Sequence, residues 1–256
     1  MSLKTITIPC LSDNYAFISH ETTSGQTALI DIPEASPILK KLDELNWKID
    51  YVLITHHHDD HISGLREILA AYPNAQVIGA KADVSRLPPL NIAVSEGDTI
   101  TIGNEQGTII DVSGHTIGHI AYYFEKSGIA FTADSLMALG CGRVFEGTMP
   151  QMWNSLQKLA QLPPKTILYS GHEYTQSNGE FALTIDPNNI LLKERIADIK
   201  QLRQNGTPTI PSTLSTELET NPFLRAKKPE IMERLGMPNA QPAEIFAEIR
   251  KRKDTF

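Results

Sequence analysis

Residues 54–64 read ITHHHDDHISG, and positions 56–61 hold nothing but four histidines and two aspartates. A solvated loop has no need of so many imidazoles. A buried one would leave imidazoles and carboxylates without partners, which is costly. The crowding therefore points to a positive charge that organises it. The spacing His56-x-His58-x-Asp60-His61 is not the zinc helix HExxH, in which two histidines share one helical face. Alternate positions on an extended segment put His56 and His58 on one side. Asp60 and His61 are adjacent and point differently, which suggests two ions rather than one. The apolar run YVLI (51–54) suits a buried strand leading into this loop. His57 is expected to point away.

Three further positions complete a ligand set. His115 lies in DVSGHTIGH, Asp134 in FTADS and His172 in YSGHE, each just past a strand-like run. Loops at strand ends on a rigid scaffold are common places for a site. Imidazole with carboxylate suits zinc, iron or manganese. A shared carboxylate such as Asp134 can bridge two ions. Incomplete protein coordination leaves a position for water, which a bound dication ionises near pH ~7. His20 and His119 read as structural residues, His119 with the option of orienting a ligand.

Outward from this loop, KTITI, YAFIS and TALIDI read as successive antiparallel strands, and SPILKKLDEL as a helix with Ile38, Leu39, Leu42 and Leu45 on one face. GLREILAAY is helical. AQVIGA, TITIG and GTIIDVSG read as strands, IAYYFEKSGIAFTAD as a hairpin turning at EKSG, and KTILYSG as the last strand. Beyond about 175 strand patterns vanish. Leu192, Ile196, Ile199 and Leu202 keep helical spacing, and Pro229 and Pro242 suit first-turn positions of two more helices. The expectation is an α/β (α+β) domain over 1–174 and a small helical domain over 175–256.

Composition excludes several classes. The net charge of −7 over 256 residues argues against general affinity for nucleic acid or an anionic membrane. No apolar run approaches the ~18 residues of a membrane span. Two distant cysteines make neither a disulfide framework nor a CxxC site, which suits a reducing cytoplasm. No G-x-S-x-G occurs, so a serine hydrolase is disfavoured. Cys141 lacks an evident base beside it.

At these residues the sequence resembles the metallo-β-lactamase superfamily: THHHDDH, then His115, Asp134 and His172 in that order, is similar to its binuclear metal pattern. LSDNYAFI, GCGRVFEGT (140–148), SGHEYT (170–175), TNPFLR (220–225) and the terminal RKRKDTF resemble the glyoxalase II branch, the hydroxyacylglutathione hydrolases. The resemblance implies an αββα sandwich of two facing sheets with helices outside, followed by the helical domain as a substrate-binding part. It implies His56, His58 and His115 on one divalent ion, and Asp60, His61 and His172 on the other. Asp134 would bridge them, with a hydroxide between the ions as nucleophile and Asp60 and Asp134 as the carboxylates at the reacting centre. Zinc is the expected metal, with iron or manganese as options.

The implied reaction is hydrolysis of S-D-lactoylglutathione to glutathione and D-lactate, the second step of methylglyoxal detoxification. A thiol of pKa near ~8.5 leaves without a strong general acid. The resemblance also implies Arg143, Tyr174, Arg250 and Lys253 as contacts to the glutathione moiety. Phe145 departs from relatives that carry a tyrosine there, so a hydroxyl contact is absent. On the residues alone, RKRK is an ordinary basic helix end, and Lys251 and Arg252 are expected in solvent. A monomer is expected. The alternatives are a glutathione persulfide dioxygenase of the same fold, and a metal-binding protein without catalysis.

Overall fold

The structure, a computed structural model, describes residues 2–256. The chain forms two compact units. The first takes in the described residues through Asp111 together with Ile117–Thr132, and the second takes in Val112–Thr116 and Ala133–Phe256.

In the first unit, β1 (Leu3–Cys10), β2 (Asn14–Glu21) and β3 (Thr27–Ile30) run antiparallel, as their β-rich runs and polar breaks predict. The sheet continues with β4 (Tyr51–Leu53), β5 (Gln76–Ala80) and β6 (Ile92–Val94), now parallel. Parallel neighbours need a crossover. Helix α1 (Ala35–Leu45) supplies one, and α2 (Asp59–Ile62) with α3 (Leu65–Ala71) the next. Helix α1 buries Ile38 and Leu42, and Asn46 ends it in the left-handed conformation. The antiparallel strands β7 (Thr99–Ile102), β8 (Glu105–Asp111), β9 (Ile120–Phe124) and β10 (Ile129–Ala133) form the facing layer. The β9–β10 hairpin turns at Glu125–Gly128 as expected, with Gly128 at φ 65°.

The two layers meet through Phe17 of β2 and Phe131 of β10, whose ring centroids are 5.6 Å apart. Tyr122 of β9 is fully buried and donates its hydroxyl to the Ile54 carbonyl at 2.8 Å. Ile120 N–H donates to the Thr55 carbonyl at 3.0 Å. The facing sheet thus holds the backbone of residues 54 and 55 just before the histidines begin.

The second unit contains the short hairpin β11 (Leu136–Met137) and β12 (Gly140–Cys141), helix α4 (Met149–Ala160), β13 (Ile167–Ser170) and α5 (Thr175–Ile185). It continues with α6 (Ile190–Gln204), β14 (Ser212–Thr213), α7 (Leu214–Thr220), α8 (Pro229–Arg234) and α9 (Pro242–Asp254). Pro229 and Pro242 open their helices, as predicted. Leu192, Ile196 and Ile199 of α6 pack with Leu139 and Ala182 in a buried cluster. Two expectations need correction. Leu202 is 37 % exposed, because the α6 stripe has turned away from that cluster by its last turn. A strand does follow residue 175: two-residue β14 pairs antiparallel with β13, too short to leave a period-two pattern. Among the described residues no helix is long and apolar enough to cross a membrane.

Candidate metal centre

In the first unit the chain leaves β4 extended through His58, which caps the single turn of α2. The expected extended loop therefore ends sooner than the sequence suggests, and Asp60 and His61 are helical. The geometry still gathers the side chains. His56 Nε2 lies 3.1 Å from His58 Nδ1. The rings of His56 and His61 are 4.1 Å apart, and Asp60 Oδ2 is 3.9 Å from His61 Nε2. His56 and His61 have no exposed surface.

A second layer aims these rings. Asp31 Oδ2 lies 2.7 Å from His61 Nδ1, so the ring donates there and its lone pair sits on Nε2. Thr55 Oγ1 is 3.0 Å from His56 Nδ1, and Asp31 accepts from both Thr55 N–H (2.9 Å) and its hydroxyl (2.8 Å). Asp31 also comes within metal-sharing distance of His56 and His61. Both its oxygens are engaged by Thr55 and His61, which makes it an orienting group. Asn14 donates to the Asp60 carboxylate at 2.9 Å and to its carbonyl at 3.1 Å. His119 stacks on His56 at 4.6 Å, and His57 turns to Asp83 at 2.9 Å, away from the others. His20 stacks on Trp47. Sequence reasoning missed Asp31. Its one signal is an acid at the end of TALID, where φ is 53°.

In the second unit, His115 follows β8, Asp134 follows β10 and His172 follows β13. Asp134 Oδ2 stands between two imidazoles, 3.5 Å from His115 Nε2 and 3.2 Å from His172 Nε2. All three residues are about as buried as a core side chain. His115 Nδ1 donates to the Arg143 carbonyl at 2.7 Å, which again puts the lone pair on Nε2. The turn carrying that carbonyl requires Gly142: a Cβ there would meet the Asp134 carbonyl oxygen at 1.9 Å.

That turn is held by helices. The β11–β12 hairpin receives Asn178 on the Ala138 carbonyl (3.1 Å) and Asn221 on the carbonyls of Met137 (3.1 Å) and Gly140 (2.9 Å). Leu139, at φ 55°, donates its N–H to Glu217 at 2.8 Å. Arg250 donates to the Cys141 carbonyl at 2.8 Å. Burial pushes the Cys141 thiol up to about 11 against the opposing pull of Arg250, which makes it a poor nucleophile.

Arg143, Tyr174, Arg250 and Lys253 all lie in this unit. Tyr174, 40 % exposed as a residue, stacks on His172 at 4.7 Å. Phe145 packs against His115 at 5.3 Å and beneath Arg143 at 5.8 Å. Arg250 is almost wholly covered, its guanidinium 5.2 Å above Phe223. Lys253 sits over Phe181 and Phe256 and donates to the Ser177 carbonyl at 3.3 Å. Burial, then the nearby Arg250, holds its ammonium below the ordinary lysine range. Lys251 and Arg252 are exposed, as expected.

Residues 22–172 match the metallo-β-lactamase superfamily, and residues 173–256 match the hydroxyacylglutathione hydrolase C-terminus. A hydroxyacylglutathione hydrolase of Ruegeria pomeroyi is 57 % identical over the full length of both chains, and one of Cereibacter sphaeroides 54 %. The chain belongs to the hydroxyacylglutathione hydrolase family. Its fold is that of the metallo-β-lactamases. The crystal structure of ETHE1 from Myxococcus xanthus superposes with a TM-score of 0.68 at 23 % identity, covering 98 % of this chain and 90 % of that one. BLEG-1 B3 metallo-β-lactamase gives 0.66 at 20 % identity, covering 86 % and 99 %. TTHA1623 in a di-iron-bound form gives 0.61 at 22 %, covering 86 % and 100 %. The buried histidines and aspartates of this family member are a donor set for divalent metal ions.

Proposed function

We propose that this enzyme hydrolyses S-2-hydroxyacylglutathione thioesters, S-D-lactoylglutathione above all, to glutathione and the 2-hydroxy acid. The observation that carries the proposal is end-to-end identity of 57 % with a hydroxyacylglutathione hydrolase. The buried imidazoles and carboxylates supply the chemistry such a hydrolase requires.

His56, His58 and His115 would hold one ion, and Asp60, His61 and His172 the other, with Asp134 shared. The donor chemistry supports this. Three of these imidazoles have Nδ1 engaged by a neighbouring oxygen, from Thr55, Asp31 or the Arg143 carbonyl, which leaves Nε2 as the ligand atom. Zinc is the metal proposed for this nitrogen and oxygen set, and iron or manganese would also suit it. When bound, such ions lower the pKa of water and polarise a carbonyl. The chain's own task is then to place the thioester. Arg143, Arg250 and Lys253 supply cationic charge for the carboxylates of the glutathione moiety, and Tyr174 an aromatic face with a hydroxyl. The glutathione thiolate, of pKa near ~8.5, departs without a protein acid.

Residues 175–256 are proposed as the substrate-binding domain and 1–174 as the catalytic one. The enzyme is proposed to act as a monomer in the cytoplasm, in keeping with two buried, unbridged thiols. The test is the initial rate of thioester loss with metal-replete and chelator-stripped protein. Turnover that vanishes on stripping and returns with zinc is expected. Absence of turnover with two ions bound would remove the substrate, and oxygen uptake with glutathione persulfide would then be measured.

A further inference from the structure

The terminal basic run contains one acid, Asp254, and its carboxylate links two of the cations named above. Asp254 Oδ1 accepts from Arg250 Nε at 3.1 Å and Nη2 at 2.9 Å, and from Arg143 Nε at 3.2 Å. Arg250 is one turn back on the same helix and 5 % exposed. Its guanidinium donates to the Cys141 carbonyl and to Asp254 and lies over the face of Phe223. A charge so deeply covered requires an anion beside it. Arg143, by contrast, stands on the exposed side of the turn after β12, its side chain about half exposed. Asp254 engages only its Nε edge. Among the described residues, its two terminal nitrogens have no partner, and Phe145 supports its plane from below.

These contacts divide the guanidinium in a useful way. A guanidinium offers a carboxylate two parallel N–H bonds from one edge. One such edge is the side, Nε with a terminal nitrogen, and another is the terminal pair, Nη1 with Nη2. Asp254 takes the side and leaves the end. We infer that Asp254 is a positioning residue for substrate binding: it ties Arg143 to the anchored Arg250 so that the terminal nitrogens of Arg143 point outward for a carboxylate of the glutathione moiety. The inference rests on the reading of Arg143 as a substrate contact. It also explains why an acid sits inside a run that would otherwise attract anions more strongly without it.

The test is a double-mutant cycle on the metal-loaded enzyme, using Arg143→Ala, Asp254→Ala and both together. Two readouts are needed: the dissociation constant of S-hexylglutathione, a non-hydrolysable probe, and kcat and KM for S-D-lactoylglutathione. Asp254→Ala is expected to weaken the probe and raise KM by about tenfold, with kcat within about twofold of wild type. Asp254→Asn, which keeps an acceptor oxygen, should recover part of that loss. Because Asp254 also neutralises Arg250, the double variant is expected to bind somewhat less well than Arg143→Ala alone, but its loss should fall clearly short of the sum of the two single losses. Additive losses would overturn the inference, as would an Asp254→Ala enzyme that binds normally while Arg143→Ala does not. So would a fall in kcat with KM unchanged in both Asp254 variants, the mark of a merely structural acid. If Arg143→Ala itself bound the probe normally, the reading beneath the inference would fall with it.

Discussion

The histidine loop of the first unit and the dispersed set of the second offer similar donors by opposite means. His56, His58, Asp60 and His61 come from six consecutive positions, with His56, His61 and Asp60 aimed by the side chains of Thr55, Asp31 and Asn14. His115, Asp134 and His172 come from three separate strand ends, and His115 is aimed by a main-chain carbonyl. A contiguous motif carries its own geometry. A dispersed one borrows it from whatever holds the intervening chain, here the β11–β12 hairpin and the helical side chains of Asn178, Glu217, Asn221 and Arg250.

The sharpest way to break the comparison is to remove one proposed ligand from each set. His61→Asn and His172→Asn should each lower kcat/KM by about a thousandfold, since loss of a metal-polarised carbonyl and its water costs several kcal/mol. A His172 variant with near-normal turnover would mean that the first loop suffices alone. The next effect is on the second layer. Asp31→Asn and Gly142→Ala should each weaken metal binding by about ten- to a hundredfold in a chelator competition. The first loses a side-chain acceptor. The second pushes a methyl into the Asp134 carbonyl and shifts the main chain that His115 leans on. Unchanged affinity in Gly142→Ala would show that the dispersed set does not depend on that turn.

The smaller effects concern substrate. Lys253→Met should raise KM by about fivefold while leaving kcat close to wild type, the sign of lost ground-state binding. Its pH dependence follows from burial. The Lys253 ammonium is held below its ordinary range, so its charge disappears at lower pH than that of an exposed lysine near ~10.4. Affinity for S-hexylglutathione should therefore fall on the alkaline side ahead of that value, and Lys253→Met should flatten this limb. An identical alkaline limb in the variant would assign it to another group.

Legibility in the sequence follows the same division. The spacing of His56, His58, Asp60 and His61 is visible because neighbouring side chains carry it. The strands flanking it are visible because two-sided burial leaves dense apolar runs. Asp31 was not legible, because an acid after a strand looks like any turn residue until His61 is seen beside it. The carbonyl of Arg143 has no side-chain signature at all. Asp254 hid in a helix end whose charge invites a solvent explanation. Helix α4 was legible and unread: Thr148 and Gln151 form a capping box ahead of the buried Met152, Trp153, Leu156 and Leu159. Two-residue β14 was beyond any periodicity.

The most direct measurement is the metal content of Asp134→Ala beside wild type, after loading with excess zinc and removal of unbound ions. Two ions per wild-type chain and fewer than two in the variant are predicted, because the proposed arrangement has Asp134 shared between both ions. Two firmly bound ions in Asp134→Ala would contradict a bridged pair and leave two independent sites.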